Sequence, residues 1–147
     1  MMLDNCPTKY FGSMSEALVL LSLPKAQWSA YGKQSQWDIL WKGIKIEVKG
    51  VNINKKKYFE QYTFVIGNNI YTSSKSKWFG KSKIIHPDVF VFCGWNSSEV
   101  KFWVVSKKKL LDKKCFHVHV EEGSEWIEYM TEDIKEIKRR IMEEYEN

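Results

Sequence analysis

The sequence contains few cysteines and no long hydrophobic run. Its three cysteines, Cys6, Cys93 and Cys115, are an odd and scattered set, which argues against a disulfide framework. No apolar stretch approaches the ~18 residues that a membrane-spanning helix requires. The apolar segment 17–23 is short and follows Glu16 rather than a basic cluster, which is not the pattern of a signal peptide. We therefore expect a soluble protein of the reducing cytoplasm with no membrane partner.

Proline is also scarce, with three residues, and the sequence shows no internal repeat and no linker long enough to separate two domains. The simplest organisation is therefore a single domain over residues 1–147. A chain of this length can bury about 68–70% of its unfolded surface. Seven Trp, seven Tyr and eight Phe supply the bulk that such a core needs.

The net charge of +5 is distributed unevenly along the chain. Residues 1–50 carry a net +2, residues 51–114 carry +9, and residues 115–147 carry −6. A positive middle segment is what a polyanionic partner such as nucleic acid would need, although a lysine-rich solvated surface would give the same count.

The segment 38–49, with the sequence DILWKGIKIEVK, is the most informative part of the chain. Its alternating residues around Lys42-Gly43 predict a β-hairpin in which paired positions sum to 85. Asp38 then lies opposite Glu47, with Lys49 on the same face. Opposed Cβ atoms are roughly 4.5–5.5 Å apart, where like charges are destabilising. The two carboxylates therefore predict a cation between them.

The opposite face of this hairpin supports the register. It carries only apolar side chains, which would pack into a core while the other face displays charge: Trp37, Ile39, Trp41, Ile44, Ile46 and Val48. The alternative register comes from the turn: Lys-Gly is less typical than Asn-Gly, and a bulge there would shift the pairing by one residue.

The rest of the chain predicts a mixed α/β domain. A helix is predicted over 14–23 and a loop, or a loop with a short helix, over 67–83. Further strands are predicted at 58–66, 88–95, 100–105 and 115–120. Beyond Gly123, apolar residues at helical spacing predict an amphipathic helix with a second N-terminus near 131–133. We expect this helix to pack on the domain's own sheet, with a dimer seam as the alternative.

A helix bearing Glu16, a strand with Asp38, and Glu47-Val48-Lys49 on the next strand resemble the PD-(D/E)XK nuclease superfamily. This group includes restriction endonucleases, Holliday-junction resolvases and intron-encoded endonucleases. The resemblance covers about residues 12–106 in element order, but its specific part is these residues and their spacing. One departure is Trp37 in place of a proline before Asp38. The resemblance implies a restriction endonuclease-like core, with a mixed central β-sheet flanked by helices.

The resemblance also implies a metal site and catalytic roles. Asp38 and Glu47 would bind Mg²⁺, which Mn²⁺ could replace, with the Val48 carbonyl as a third ligand. Lys49 would orient or help deprotonate the attacking water. Glu16 would join the site directly, through a water or at a second metal, and the substrate would be a DNA phosphodiester.

Two loops of the basic middle segment are candidate DNA contacts. Their lysines would contact phosphates without reading sequence, while the tryptophan could stack or wedge. The alternative is that both are solvated loops. The residues concerned are Lys55, Lys56, Lys57, Lys75, Lys77, Trp78, Lys81 and Lys83.

Several of these patterns also have simpler explanations. Ser13 and Glu16 stand in capping-box spacing, which would give Glu16 a purely structural role at a helix N-terminus. Lys45-x-Glu47-x-Lys49 taken alone is typical of a solvated strand face. Asp88 is a further candidate for the edge of the site.

A histidine-containing strand offers a second set of metal ligands. Cys115, His117 and His119 alternate along one predicted strand, but their spacing is not that of a zinc site and no second ligand pair is evident. An ordinary, partly buried edge strand explains these residues as well.

The sequence as a whole predicts a Mg²⁺-dependent DNA endonuclease of restriction, resolvase or homing type. Its substrate would be double-stranded or branched DNA, and cutting both strands of a duplex would usually require a homodimer. The alternative is a DNA-binding or assembly module that retains the nuclease fold but does not cut.

Overall fold

The structure is a computed structural model that describes residues 6–29, 37–53, 60–66, 70–72, 83–111 and 113–147. Two α-helices lie near the ends of the chain, α1 at Thr8–Ser22 and α2 at Ile137–Glu146. The strands between them are β1 (Gln27–Trp28), β2 (Ile39–Trp41), β3 (Ile44–Asn52), β4 (Gln61–Val65), β5 (Ile70–Thr72), β6 (Lys83–Ile85), β7 (Val89–Asn96), β8 (Glu99–Ser106), β9 (Cys115–His119) and β10 (Met130–Thr131).

Six strands form a mixed central sheet in the order β1-β2-β3-β7-β8-β10. The β3–β7 pair is parallel, and the other four pairs are antiparallel. Strands β4 and β9 pair in a second sheet, and β5 pairs with β6. The predicted mixed α/β class, with a mixed central sheet flanked by helices, is confirmed.

The central sheet is covered on both faces. One core cluster joins α1 and α2 to inward residues such as Ile46, Val48 and Val91. A second cluster packs β4 and β9 against the opposite face of β7 and β8, around Phe92 and Trp103. Strand β7 is therefore buried from Val89 to Trp95 without alternation, as expected of a strand with two covered faces.

Helix α1 begins earlier than predicted. It starts at Thr8 after Pro7, and no side chain caps its N-terminus. The predicted capping box of Ser13 and Glu16 is therefore wrong, because both residues lie inside the helix. The cause is tertiary packing that a local pattern does not contain: Phe11 is buried, and its ring lies 6.1 Å from that of Trp95 on β7.

The C-terminal segment is also more divided than predicted. Residues Met130–Thr131 pair with β8 as a strand, where an unbroken helix would have continued. The predicted second N-terminus is confirmed, since the Asp133 carboxylate accepts a 2.9 Å hydrogen bond from the Lys135 N–H. Ile137 and Ile141 are fully buried in the first core cluster, so α2 packs on its own sheet as predicted.

The remaining strand predictions vary in accuracy. The segments 88–95 and 100–105 correspond to β7 and β8, and the predicted strands at 58–66 and 115–120 contain β4 and β9. The prediction for 67–83 is wrong where Ile70–Thr72 forms β5. All three cysteines are free, as expected. Within the described ranges, neither helix is long and apolar enough to span a bilayer.

Candidate active site

The β2–β3 hairpin has the predicted register. Ile39 pairs with Ile46, Leu40 with Lys45, and Trp41 with Ile44, so paired positions sum to 85. Both turn residues have positive φ, 52° at Lys42 and 78° at Gly43. Two such residues between paired strands are typical of a type I′ turn, which matches the natural strand twist.

Asp38 lies directly before the paired positions of β2, so the observed ladder does not include the predicted pair of Asp38 with Glu47. Its N–H donates to the Ile46 carbonyl at 2.9 Å, and its carboxylate Oδ2 accepts the Val48 N–H at 2.8 Å. A strand residue directs its N–H and its carbonyl toward the same neighbour, so the Val48 carbonyl lies on the Asp38 side of β3. The Asp38 side chain therefore lies beside the Val48 backbone, close to Glu47.

Glu47 and Lys49 lie next to each other on the same face of β3. The Lys49 Nζ is 3.4 Å from Glu47 Oε2, and the Glu47 carboxylate is also hydrogen-bonded to Asp38. Their partners on β7 are Phe90 and Phe92, which are fully buried on this face. Glu47 is only 7% exposed, so the expectation that this face displays its charges to solvent is wrong at Glu47.

Glu16 joins the two hairpin carboxylates from helix α1. Its carboxyl is hydrogen-bonded to that of Asp38 and lies within electrostatic range of Lys49. Because α1 begins at Thr8, Glu16 sits in the third turn of the helix rather than at its N-terminus. The structure thus brings together Glu16, Asp38, Glu47 and Lys49.

The crowding of these carboxyl groups changes their protonation. Burial, followed by the charge of Asp38, raises the pKa of Glu16 to about 7. Burial also raises the pKa of Asp38, and the Val48 N–H opposes this effect. A cation placed among these carboxyl groups would oppose both effects, because a nearby positive charge favours the ionised form.

The donor set fits a hard cation that retains water ligands. In the part of the chain that the structure describes, no group of three or more His, Cys, Asp or Glu side chains is arranged to hold a metal ion by itself. Mg²⁺ is normally held by one or two carboxylates, with water and substrate phosphate completing an octahedron. Two carboxylates and a backbone carbonyl, those of Asp38, Glu47 and Val48, therefore suit Mg²⁺ better than a metal that needs an all-protein site.

A buried contact between α1 and β3 supports the site, and sequence reasoning missed it. Ser15 is fully buried; its Oγ donates to the Phe11 carbonyl at 2.6 Å and accepts the Trp95 indole N–H at 2.9 Å. A Cβ on Gly50 would lie closer than 3.0 Å to Ser15 Oγ. The only sequence signal was the glycine that directly follows Lys49. This contact sets the distance between Glu16 and β3.

Trp37 does not occupy the core face that the alternation predicted. It is absent from the apolar cluster, and the Lys45 Nζ lies 4.7 Å from its ring centroid. The Ser29 hydroxyl donates a hydrogen bond to the Trp37 carbonyl. The strand alternation stops at Asp38, where regular pairing ends, so Trp37 turns toward the face that carries Lys45.

Asp88 has a structural role at the opposite end of β3 from Lys49. Its Oδ2 accepts the Lys45 N–H at 2.9 Å, its own N–H donates to the Lys45 carbonyl at 2.7 Å, and its Oδ1 lies 3.6 Å from Lys107 Nζ. These contacts hold the start of β7 against β3 and give Asp88 a structural role.

The histidine strand is an edge strand of the second sheet. Phe116 and Val118 are buried, whereas Cys115, His117 and His119 alternate on the other side of β9. The His117 Nδ1 is within hydrogen-bond distance of Thr63 Oγ1, at 3.0 Å. This pattern matches the simpler of the two explanations drawn from the sequence.

The predicted DNA contacts are not described by the structure. Lys55, Lys56, Lys57, Lys75, Lys77, Trp78 and Lys81 lie outside the described residues. Lys83 belongs to β6, where only the backbone is described. Their contact with DNA stays a prediction, as do the catalytic roles of the four clustered residues.

The fold is similar to that of a solved nuclease. No protein-family model matches the sequence, and no curated protein matches it. The structure titled "The structure of a bacterial homing endonuclease: I-Ssp6803I" aligns with a TM-score of 0.57 and 14% sequence identity. The alignment covers 94% of this chain and 95% of that chain. At this level of identity, the similarity shows that the two chains share a fold over nearly their whole lengths.

Proposed function

We propose that this protein is a Mg²⁺-dependent DNA endonuclease of the PD-(D/E)XK type. The observation that carries the proposal is the convergence of Glu16, Asp38 and Glu47 with Lys49 at the end of one hairpin. A solvated strand face would not bury Glu47 or bring a helix carboxyl to Asp38. A nuclease site needs both features, because a metal and a scissile phosphate must share the same space.

The carboxylates of Asp38 and Glu47, with the carbonyl of Val48, would hold the metal, and Mn²⁺ could replace Mg²⁺. When bound, such an ion neutralises charge on the phosphate and lowers the pKa of the attacking water. Asp38 is fixed for this task by its 2.8 Å bond to the Val48 N–H, which limits its rotamers. Glu47 is fixed by burial and by its ion pair with Lys49.

Lys49 is the cation that pairs with Glu47 in the cluster. Its Nζ, 3.4 Å from Glu47 Oε2, can donate hydrogen bonds to a water or a phosphate oxygen beside the carboxylates. In that position it orients the attacking water and offsets charge that develops on the phosphate. Glu16 contributes a further oxygen next to Asp38, as a water-mediated ligand or as a proton acceptor.

Charge and fold support DNA as the substrate. The segment 51–114, which directly follows the hairpin, carries a net charge of +9. The similar solved structure is a homing endonuclease by its title, and it matches over 94% of this chain. A second copy of the chain would allow both strands of a duplex to be cut, since each carboxylate cluster serves one phosphodiester.

The test is cleavage of plasmid, linear duplex and four-way-junction DNA, and of duplex RNA, with Mg²⁺ or with EDTA. Asp38→Ala and Lys49→Ala should each lower the rate at least a hundredfold, because each removes a group that touches the metal or the reacting atoms. Glu122→Ala and Lys138→Ala are matched controls, since both residues are exposed, one in the turn after β9 and the other on α2.

Several outcomes separate the alternatives. Cleavage that persists in EDTA, or in both site variants, would contradict the mechanism. Salt-sensitive DNA binding without cleavage of any substrate would favour the non-catalytic binding module instead. Faster cleavage of RNA than of DNA would mean that RNA is the substrate, and the proposed site residues would stay the same.

A further inference from the structure

An open row of side chains lies beside the carboxylate cluster, on the same face of the sheet. Gln27 on β1 pairs with Leu40 on β2, and Leu40 pairs with Lys45 on β3. Directly paired residues project to one side of a sheet. Lys45 also shares its side with Glu47 and Lys49, because side chains two apart on a strand point the same way. We call Gln27, Leu40 and Lys45 the cross-strand row.

This row is accessible, although the same face is buried elsewhere. Gln27 is exposed, Leu40 is 36% exposed, and Lys45 is partly exposed. By contrast, Phe90 and Phe92 on β7 are fully buried on this face beneath the second sheet. The face therefore changes from covered to open as the sheet passes from β7 to β1, and the carboxylate cluster lies at the transition.

Lys45 is held in place within the row. Its backbone N–H and carbonyl both bond to Asp88, at 2.9 and 2.7 Å. Its Nζ is 4.7 Å from the centroid of the Trp37 ring, a geometry of cation–π attraction. The ring contact and the backbone bonds together limit the positions that the ammonium group can adopt on the Glu47 side of β3.

We propose that the cross-strand row is the surface on which a DNA strand lies as it enters the site, with Lys45 binding the phosphate next to the scissile one. The proposal rests on the nuclease function proposed above. Lys45 and Lys49 flank Glu47 on one face of β3, each about 6.8 Å away along the strand. A strand of DNA carries a further charge next to the phosphate that is cut. With Lys49 at the scissile phosphate, Lys45 on the other side of Glu47 is placed for that neighbouring charge.

The charges around the cluster explain why a DNA strand would bind at the row. The carboxylates of Glu16, Asp38 and Glu47 repel a phosphate until a metal is bound, so fixed cations are needed beside them. Leu40, between Gln27 and Lys45, offers an apolar contact for sugar and base edges without adding negative charge. A duplex is thus attracted to the flank of the cluster rather than to the carboxylates themselves.

The test is binding of a fluorescent DNA duplex, measured by anisotropy in EDTA over a series of salt concentrations. Lys45→Ala should weaken binding several-fold and reduce the slope of log K against log salt by about 0.9, the value for one phosphate contact on duplex DNA. Lys45→Arg retains the charge and should restore both. Lys138→Ala, an exposed lysine on α2, makes the same charge change elsewhere.

A second pair of variants tests the surface without removing a lysine. Leu40→Glu places a negative charge in the row and should weaken binding severalfold. Leu21→Glu is its matched control, because Leu21 is 84% exposed on α1. Both substitutions are on the surface, and thermal melting would confirm that the variants are folded.

The outcomes are distinguishable from failure of the nuclease function. If the wild type cleaves DNA but Lys45→Ala and Leu40→Glu bind it as tightly as the wild type, the proposal that the row binds DNA would be overturned. The proposed nuclease function would be unaffected. If binding depends on Lys45 but no DNA is cleaved, DNA binding by the row would be supported and the proposed nuclease function would be overturned. No binding in EDTA by a wild type that cleaves DNA with Mg²⁺ would overturn the proposal for the row alone, and neither binding nor cleavage would overturn both proposals.

Discussion

The carboxylate of Asp38 replaces a strand partner of Val48, accepting the Val48 N–H at 2.8 Å where a backbone carbonyl would continue the ladder. This one hydrogen bond ends the β2–β3 pairing and points a carboxylate at the neighbouring Glu47. The same hydrogen bond therefore ends the strand pairing and places Asp38 in the acidic cluster.

The first prediction concerns pH and Glu16 in the metal-free protein. Burial and the Asp38 charge raise the pKa of Glu16 from 4.5 to about 7. Between these values the folded protein binds more protons at Glu16 than the unfolded chain, so the free energy of unfolding falls as pH rises. Glu16→Gln should flatten this fall, as measured by melting temperatures in EDTA from pH 4 to 8. Glu122→Gln, an exposed control, should melt with the wild-type pH profile; an unchanged profile in Glu16→Gln would contradict the prediction.

The second prediction concerns metal binding without catalysis. Mg²⁺ should raise the melting temperature of the wild type. At a hundred times its dissociation constant, it should raise the free energy of unfolding by about 2.7 kcal/mol. The rise should be larger at pH 8 than at pH 5, because ligating carboxylates must be ionised. Asp38→Asn should abolish it, since an amide is a far weaker ligand. Equal stabilisation of Asp38→Asn and the wild type would place the metal elsewhere.

The third prediction compares two glycines. A Cβ at Gly50 would come closer than 3.0 Å to Ser15 Oγ and to the Phe11 carbonyl oxygen, whereas a Cβ at Gly12 would meet nothing within 4 Å. Gly50→Ala should cost about 1–3 kcal/mol and reduce cleavage, because it pushes α1 and Glu16 away from β3. Gly12→Ala, inside the same helix, should stabilise by about 0.5–1 kcal/mol. Chemical denaturation measures both, and a neutral Gly50→Ala would contradict the packing argument.

The fourth prediction concerns the hairpin turn. Lys42 has a φ of 52°, a left-handed conformation that asparagine adopts more readily than lysine. Lys42→Asn should therefore stabilise the protein by about 0.5 kcal/mol, even though it removes the contact between Lys42 Nζ and the Trp41 ring at 5.0 Å. Lys42→Ala loses the contact with the Trp41 ring and still places a residue with a Cβ at positive φ, so it should destabilise the protein. If the alanine variant were the more stable of the two, turn conformation would not be the controlling factor.

The sequence predicted the hairpin because its determinants are local. An alternating pattern and a two-residue turn set the register of Ile39 with Ile46, and the register in turn places Asp38 near Glu47. The same local reasoning failed at Trp37, because alternation holds only while the strand continues. Nothing in the order of residues shows that a carboxylate ends the pairing at Asp38.

Elements whose limits depend on distant partners were predicted less well. Helix α1 extends back to Thr8, where Phe11 and Ser15 pack on β3 and β7, whereas the spacing of Ser13 and Glu16 is a local pattern that contains neither partner. Strand β10 exists because Met130 pairs with Trp103 at the edge of β8. The helical spacing of apolar residues in this segment does not indicate that Met130 pairs with Trp103.

The placement of one hairpin carboxylate within a paired strand and the other directly beside it has a consequence for protein engineering. A ligand on a loop must be ordered separately, whereas Asp38 and Glu47 are ordered by the same hydrogen bonds that form the sheet. The hairpin from Asp38 to Lys49 is therefore a transplantable unit: grafted beside a parallel strand of another mixed sheet, it would bring its two carboxylates, its carbonyl and its lysine already aligned. Only the helix carboxyl of Glu16 would have to be supplied by the host.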